Sequence, residues 1–422
     1  MLVTVARFPR KYARRCAGEH ETRRKGGAVR ALILSFYYRP DLSAGSFRTT
    51  AFVEALESLM GPEDWIEVLT TLPNRYQSYS QEAPEVEMGG RLRVRRIQLP
   101  LHQSGMIDQA RAFTRFAYQV LRAIRGERFD VVYATSSRLF TASLGALCAR
   151  RTGARLYLDI RDIFVDTIKD VLNVHAVRVL MPILRRVERY TIGSAERINL
   201  VSEGFREYFH AHYPKGRYTF FTNGIDEEFI SANFDAPRHT EHTRPKILYA
   251  GNLGEGQGLH RILPSLASRL PEYEFQVVGD GGRKSALIRG LEAAGIGNVQ
   301  LLLPVPREQL LALYRNADCL FLHLNDYEAF RKVLPSKIFE YAATGKPILA
   351  GLAGYSAEFL TRYVENAAVF PPCDAEAAVR ALRTLRLAPV ERTTFIKRFN
   401  RTRIMSAMAS DVMALAVQAA KR

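Results

Sequence analysis

Short apolar runs alternate with amphipathic, helix-like stretches along most of this 422-residue chain, in two separate series. The first contains strand-like runs at 30–37 (RALILSFY), 64–70, 130–134, 155–159 and 199–201, with helices expected near 49–59 and 139–151. The second begins at 246–251 (KILYAG) and continues through 274–279, 298–303, 318–324 and 347–351, with a helix near 374–386. A short, continuously apolar strand is buried on both faces, and one followed by a helix returns parallel to itself. The pattern predicts two α/β units, each a doubly wound parallel sheet.

Residues 231–244 (SANFDAPRHTEHTR) are polar and without period, which marks a linker over 231–245. The expected organisation is a first domain at 30–230, a second at 246–388, and C-terminal helices at 389–422 packing back across both. Ligands of open α/β sheets bind outside the carboxyl ends of the strands. Two such domains on one linker therefore place the active site in a central cleft.

The net charge of +17 calls for anionic company: nucleic acid, an anionic membrane or a phosphate-rich substrate. No nucleic-acid reading module accompanies the charge, and aromatics do not interleave with the basic patches, so no nucleic acid is expected. Residues 1–30 hold nine Lys and Arg against Glu19 and Glu21. Residues 1–29 read as a disordered basic tail, or as the product of an upstream start codon, without the apolar core of a signal peptide. No apolar run approaches the ~18 residues of a membrane span. Cys16, Cys148, Cys319 and Cys373 are scattered, which fits a reducing cytosol and no zinc site. Two basic amphipathic stretches, 105–125 and 177–191, suit the surface of an anionic membrane, although taken alone a purely core-facing apolar side is the simpler explanation.

Three loops of the second domain carry chemistry. GNLGEGQG (251–258) follows a strand, and its four glycines allow backbone N–H groups to approach a diphosphate. Gly251, Asn252, Gly254 and Gln257 are candidate donor-binding residues there; a tight turn is the competing explanation. In VVGDGG (277–282), Gly279 and Gly281 permit close approach of a nucleoside, and Arg283 supplies positive charge. In VLPSKIFEYAATGKP (333–347), Pro335 opens a helix whose first turn carries Ser336 and Lys337. Glu340 lies four residues after Ser336 on the same face, placed to accept hydrogen bonds from a ribose.

These motifs, in this order, resemble the donor-binding domain of the family 4 glycosyltransferases of GT-B fold. Gly279-Asp280-Gly281 after a strand, Val305–Asp318 (VPREQLLALYRNAD) and Glu340–Pro347 (EYAATGKP) carry the likeness. Thr222–Asp226 (TNGID) matches the family's domain-junction motif. The resemblance adds Val305 to the donor-binding residues and implies two Rossmann-like domains facing a central cleft. It departs from the family at Lys332, where the first of two paired glutamates is usual, and at Asn252 and Gln257, where Arg and Lys are usual. Lys337, the 251–258 backbone and Arg331 or Lys332 are the expected replacements. GNLGEGQG combined with VLPSKIFEYA resembles a bacterial O-antigen and capsule branch that includes N-acetyl-L-fucosamine transferases. That likeness implies a UDP-sugar donor, a lipid-linked polyprenyl-diphosphate acceptor, retention of configuration, and a cytoplasmic protein at the inner face of the plasma membrane.

In the first domain, RPDLSAGSFR (39–48) follows the first strand. Gly45 and Ser46 are expected to present N–H groups to the donor phosphate, and Arg48 to add charge on the acceptor side. Arg161 stands where many relatives have His, and Asp162 is kept; Asp162 would hold the acceptor hydroxyl or the transferred sugar, with Lys337 and Glu340 completing the catalytic set. His323 is either a donor contact or a core histidine. No Asp-x-Asp occurs, so no metal and no cofactor beyond the nucleotide-sugar substrate is expected. A UDP-sugar epimerase of the same architecture and a non-catalytic membrane-associated subunit are the alternatives.

Overall fold

The computed structural model describes residues 27–73, 82–100, 106–136, 139–163, 174–234 and 244–420. The tail at 1–26 and most of the linker lie outside them. Among the described residues the strands form two sheets. The first comprises β1 (Arg30–Leu34), β2 (Trp65–Thr71), β3 (Val86–Gly89), β4 (Leu92–Ile97), β5 (Val131–Thr135), β6 (Arg155–Ile160), β7 (Arg197–Leu200) and β8 (Tyr218–Thr219). Its order is β3-β4-β2-β1-β5-β6-β7-β8, parallel except for β3, which runs antiparallel to β4. The second comprises β9 (Lys246–Ala250), β10 (Glu274–Val278), β11 (Val299–Leu302), β12 (Cys319–His323), β13 (Ile348–Gly351) and β14 (Ala367–Phe370). Its order, β11-β10-β9-β12-β13-β14, is fully parallel and is that of a dinucleotide-binding fold.

Both sheets are doubly wound, as the alternation predicts. In each, the strand order reverses beside the first strand, between β1 and β5 and between β9 and β12. The loops leaving those strands hold 39–48, 251–258 and 324–336.

Four strands escape the periodicity argument: β3, β4, β8 and β14. Strand β4 (LRVRRI) buries Leu92 and Val94 but alternates them with arginines, which hides its sheet character. Arg93 and Arg95 both pair with Glu67, a carboxylate without exposure in the middle of β2. The two guanidinium groups neutralise a charge that could not otherwise be buried there.

The chain ends by crossing between lobes. Phe395 and Phe399 pack with Phe339 and Phe359 in the second lobe. The helix Arg401–Ala420 then lays Met405, Met408, Ala409 and Val412 against Phe52 and Val53 of the first. The crossing is pinned to the interdomain junction: the Ile225 N–H donates to Phe399 O (2.8 Å), and the Arg401 N–H to Ile225 O (2.9 Å).

Among the described residues no helix is long and apolar enough to cross a membrane. In the helix Met106–Ala123 the apolar stripe is largely core, with Phe116 and Val120 buried. The helix Val174–Gly193 buries Met181 and Leu184 yet exposes Leu180 and Ile183 beside Arg185 and Arg186.

Candidate active site

In the second lobe the helix Lys337–Ala343 buries Ile338, Phe339, Tyr341 and Ala342, which orients its other face. Tyr341 accepts a hydrogen bond from the Ala250 N–H (3.1 Å), seating the helix against the end of β9. The segment before it is held by the first lobe and the junction. Ser202 Oγ donates to Lys332 O (2.6 Å), and Asn223 Nδ2 donates to Leu334 O (3.2 Å). Pro335, Ser336 and Lys337 are half-buried, and the helix ends at Gly345 (φ +72°).

Lys337 reaches back over Gly251: a Cβ on that glycine would lie 2.2 Å from Nζ. The same ammonium sits 5.4 Å from the centre of the Tyr249 ring. Glu340, half-buried one turn along, accepts no hydrogen bond among the described residues. Burial pushes its carboxyl above the ordinary range; Arg307 opposes this, Asp226 adds to it, and Lys337 and Arg401 pull it down. Arg307 pairs with Asp226 and Glu228, and its guanidinium lies 4.2 Å from the Phe47 ring centre of the first lobe. Lys337 and Glu340 thus belong to a charged cluster that touches both lobes.

The glycines of this lobe have a different role from the expected one. A Cβ on Gly279 would meet Gly251 O at 1.8 Å, and one on Gly281 would meet Leu253 C at 2.7 Å. These two glycines let the 277–282 loop lie against 251–254. The N–H groups of Gly251 and Leu253 donate to Val278 O (2.8 Å) and Asp280 O (2.9 Å), so the Gly251 amide is not turned towards a diphosphate. Asn252 Nδ2 donates to Gln257 Oε1 (2.8 Å), and the pair bridges the loop above Gly254, where a Cβ would lie 2.5 Å from Asn252 Nδ2. Arg283 donates to Glu255 Oε2 (2.5 Å), so its charge is met by this carboxylate rather than held open for a phosphate. Arg331 pairs with Asp326, and Lys332 lies over the Tyr208 ring. Val305 packs at the margin of the apolar core.

His323 is a core histidine. Its Nε2 accepts from the Cys373 N–H (2.9 Å), so Nδ1 carries the proton and donates to Gln257 O (2.7 Å). Burial pulls it down to about 4, and it pins the 251–258 loop to β12 as a neutral ring.

In the first lobe the helix Ala44–Ser58 is capped by Ser43, whose Oγ accepts from the Ser46 N–H (3.1 Å). That amide is therefore unavailable to a phosphate, and the Ser46 side chain is buried, contrary to expectation. Arg48 corrects another expectation. It has no exposure and makes a two-point bond to Asp159, from Nε at 2.8 Å and Nη2 at 2.9 Å. It also donates to Thr222 O (2.7 Å) and Phe221 O (2.8 Å), tying β6 to the domain junction. Gly45 lies against Arg161, whose Nη1 would be 2.8 Å from a Cβ at that glycine. The Arg161 N–H donates to Ser136 Oγ (2.9 Å). Burial raises the neighbouring Asp162 carboxyl to about 6, against the pull of Arg161.

With this geometry in hand, two family matches tile the chain. Glycosyl transferase 4-like domain matches residues 52–224, and Glycosyl transferases group 1 matches residues 232–401. The chain belongs to the family 4 glycosyltransferases. It is 28% identical over 295 residues to WcaI of Escherichia coli (strain K12), named as a colanic acid biosynthesis glycosyl transferase; the match covers 65% of this chain and 70% of WcaI. Solved structures share the fold across nearly the whole length. Sucrose-phosphate synthase from Thermosynechococcus elongatus superposes with a TM-score of 0.64 at 16% identity, covering 93% of this chain and 97% of its own. Anabaena HepE in complex with UDP and glucose gives 0.58 at 15%, covering 94% and 99%. This glycosyltransferase is an α/β protein of GT-B fold, with two doubly wound Rossmann-like domains.

The structure brings together Lys337, Glu340 and Gly251 in the second lobe, and Gly45, Arg161 and Asp162 in the first. It withdraws Arg48, Ser46 and Arg283 into other pairings. The cluster of Asp226, Arg307 and Arg401 around Glu340 did not emerge from the sequence. One signal pointed to it: a cation at the first position of a helix opposes the helix dipole, so Arg307 needed a carboxylate partner nearby.

Proposed function

We propose that this glycosyltransferase moves a sugar, an N-acetylated amino sugar such as N-acetylfucosamine, from a UDP-sugar to a lipid-linked polyprenyl-diphosphate glycan. It works with retention, at the inner face of the plasma membrane, in surface-polysaccharide synthesis. Lys337 meets the diphosphate, and Glu340 accepts hydrogen bonds from the ribose hydroxyls. The observation that carries the reading is the Glu340 carboxylate, which accepts no hydrogen bond among the described residues, one turn beyond an ammonium lying on the backbone of the 251–258 loop. The colanic acid assignment of WcaI and the UDP bound by HepE support the same direction. The acceptor oxygen bonds to the anomeric carbon on the face from which UDP departs, and the leaving phosphate takes the acceptor proton. Developing diphosphate charge is met by fixed cations and dipoles without a resident metal. Asp162 holds the acceptor hydroxyl or the transferred sugar.

UDP release from a UDP-sugar and lipid extract tests this. Lys337→Ala should lower turnover about 100-fold or more, the usual effect of removing one preorganised charge-stabilising donor. Glu340→Gln should cost about 10- to 100-fold, as expected for hydrogen bonds to a charged group. Wild-type turnover in both variants would refute the assignment. Stabilisation by UDP-sugars over GDP- and dTDP-sugars in a thermal-shift panel would support the nucleotide class.

A further inference from the structure

Arg307 is a largely buried cation to which the transfer reaction gives no task. It opens the helix Arg307–Asn316, whose N-cap Pro306 offers no side-chain cap, so its charge stands against the helix dipole. Asp226 and Glu228, at the interdomain junction, both pair with it. Its guanidinium also faces two rings, with centres 4.2 Å away at Phe47 and 5.0 Å away at Phe229. Phe229 belongs to the junction, but Phe47 stands near the start of the helix Ala44–Ser58 in the first lobe. Burial would weaken the Arg307 charge, yet Asp226, Glu340 and Glu228 more than offset this and raise its pKa. One guanidinium therefore meets the first lobe, the junction and the Glu340 side of the helix Lys337–Ala343. The junction end of this arrangement is closely packed. Asp226 also pairs with Arg401, and a Cβ on Gly224 would lie 2.6 Å from the Arg401 α-carbon.

We propose that Arg307 is a positioning residue of the transfer reaction: by holding Phe47 and Asp226 at once, it sets how far the first-lobe helix Ala44–Ser58 stands from Glu340 across the cleft. The inference rests on the donor reading of Glu340 above and adds an interlobe contact to it. The contact calls for a guanidinium. Its flat face can lie on a ring while its edge N–H groups bond carboxylates, whereas a lysine ammonium brings the charge without the plane. A nucleotide held by Lys337 and Glu340 belongs to the second lobe alone, but sugar transfer needs donor and acceptor aligned between the lobes. Misplacing reacting groups by about 1 Å costs about 100-fold in rate. Disturbing this contact should therefore slow turnover far more than it weakens the nucleotide.

The test compares full-length wild type, Arg307→Lys, Phe47→Leu, Phe47→Tyr and the double variant Arg307→Lys/Phe47→Leu. UDP release from saturating UDP-sugar with lipid extract gives kcat, calorimetry gives UDP affinity, and thermal unfolding gives the folded fraction. Arg307→Lys and Phe47→Leu should each lower kcat by about 10-fold or more while UDP affinity stays within about 3-fold. The double variant should be no slower than the slower single variant, because both remove one contact. Phe47→Tyr keeps a ring face and should hold kcat within about 3-fold of wild type. A role in stability alone gives lower melting temperatures with wild-type kcat in the folded fraction, and that result overturns the proposal. So do losses that multiply in the double variant, equal losses in Phe47→Leu and Phe47→Tyr, or UDP affinity that falls as far as kcat. Glu340→Gln separates the two readings. If it leaves UDP affinity unchanged, the donor reading fails; if it weakens UDP while Arg307→Lys and Phe47→Leu turn over normally, the positioning role alone fails.

Discussion

Replacing Arg48 by Met separates a structural cation from a catalytic one. Arg48 and Asp159 both have no exposure, and the pair is joined by two hydrogen bonds of 2.8 and 2.9 Å. Removing one partner of such a pair leaves a buried charge without compensation, at about 3–5 kcal/mol. For a lobe of this size that corresponds to roughly 6–20 °C in the melting temperature of the first-lobe transition. The loss should depend on pH in a defined direction. In the wild type, burial pushes the Asp159 carboxyl up, but Arg48, together with Arg161 and Asn199, more than offsets this and holds it below the ordinary range. The stability it contributes is therefore complete above the unfolded value near ~3.9 and fades as pH falls through the lower folded value. Without Arg48 the balance reverses, so the carboxyl protonates more readily and the damage should be larger at pH 8 than at pH 5. Denaturant unfolding at both pH values, with UDP-sugar kinetics on the folded fraction, measures the effect. Unchanged stability together with a donor KM raised more than 10-fold would refute the reasoning and return Arg48 to the substrate.

Gly251→Ala places a Cβ 2.2 Å from Lys337 Nζ at a backbone φ of +150°, so the ammonium must move; turnover and UDP affinity should each fall at least 10-fold, and a variant with normal values of both would detach Lys337 from the diphosphate. Asp162, raised to about 6 by burial, should give kcat/KM an acid limb near that pH if its ionised form holds the acceptor, and Asp162→Asn should remove the limb along with most activity. His323 titrates at about 4 in the fold and near 6.5 when unfolded, so the unfolded chain binds more protons between those values. Stability should drop by roughly 3 kcal/mol from pH 7 to pH 4 through this group, and His323→Leu should flatten that part of the unfolding profile.

Much of the architecture was legible because it is written in local periodicity. Ten strands and the helices expected near 49–59, 139–151 and 374–386 follow from apolar runs and their spacing, which depend on neighbours a few residues away. The helix Lys337–Ala343 announces itself the same way: Pro335 suits its entry, Gly345 its exit, and one face is apolar throughout. The strands β4 and β14 were not legible. In β4 the arginines that interrupt the apolar pattern meet carboxylates of neighbouring strands, Arg93 and Arg95 at Glu67 of β2 and Arg96 at Glu87 of β3.

Electrostatic partnership belongs to the tertiary structure. Arg48 reads as a free cation in a loop until Asp159, 111 residues away in sequence, is brought to it. Gly279 and Gly281 read as openings for a ligand until the 251–254 loop fills the space they leave. Arg307, Arg401 and Asp226 converge on Glu340 only through the chain crossing at Ile225 and Phe399. Periodicity reports which side of an element is buried. It says nothing of which buried charges meet, because that depends on where distant segments stop against one another.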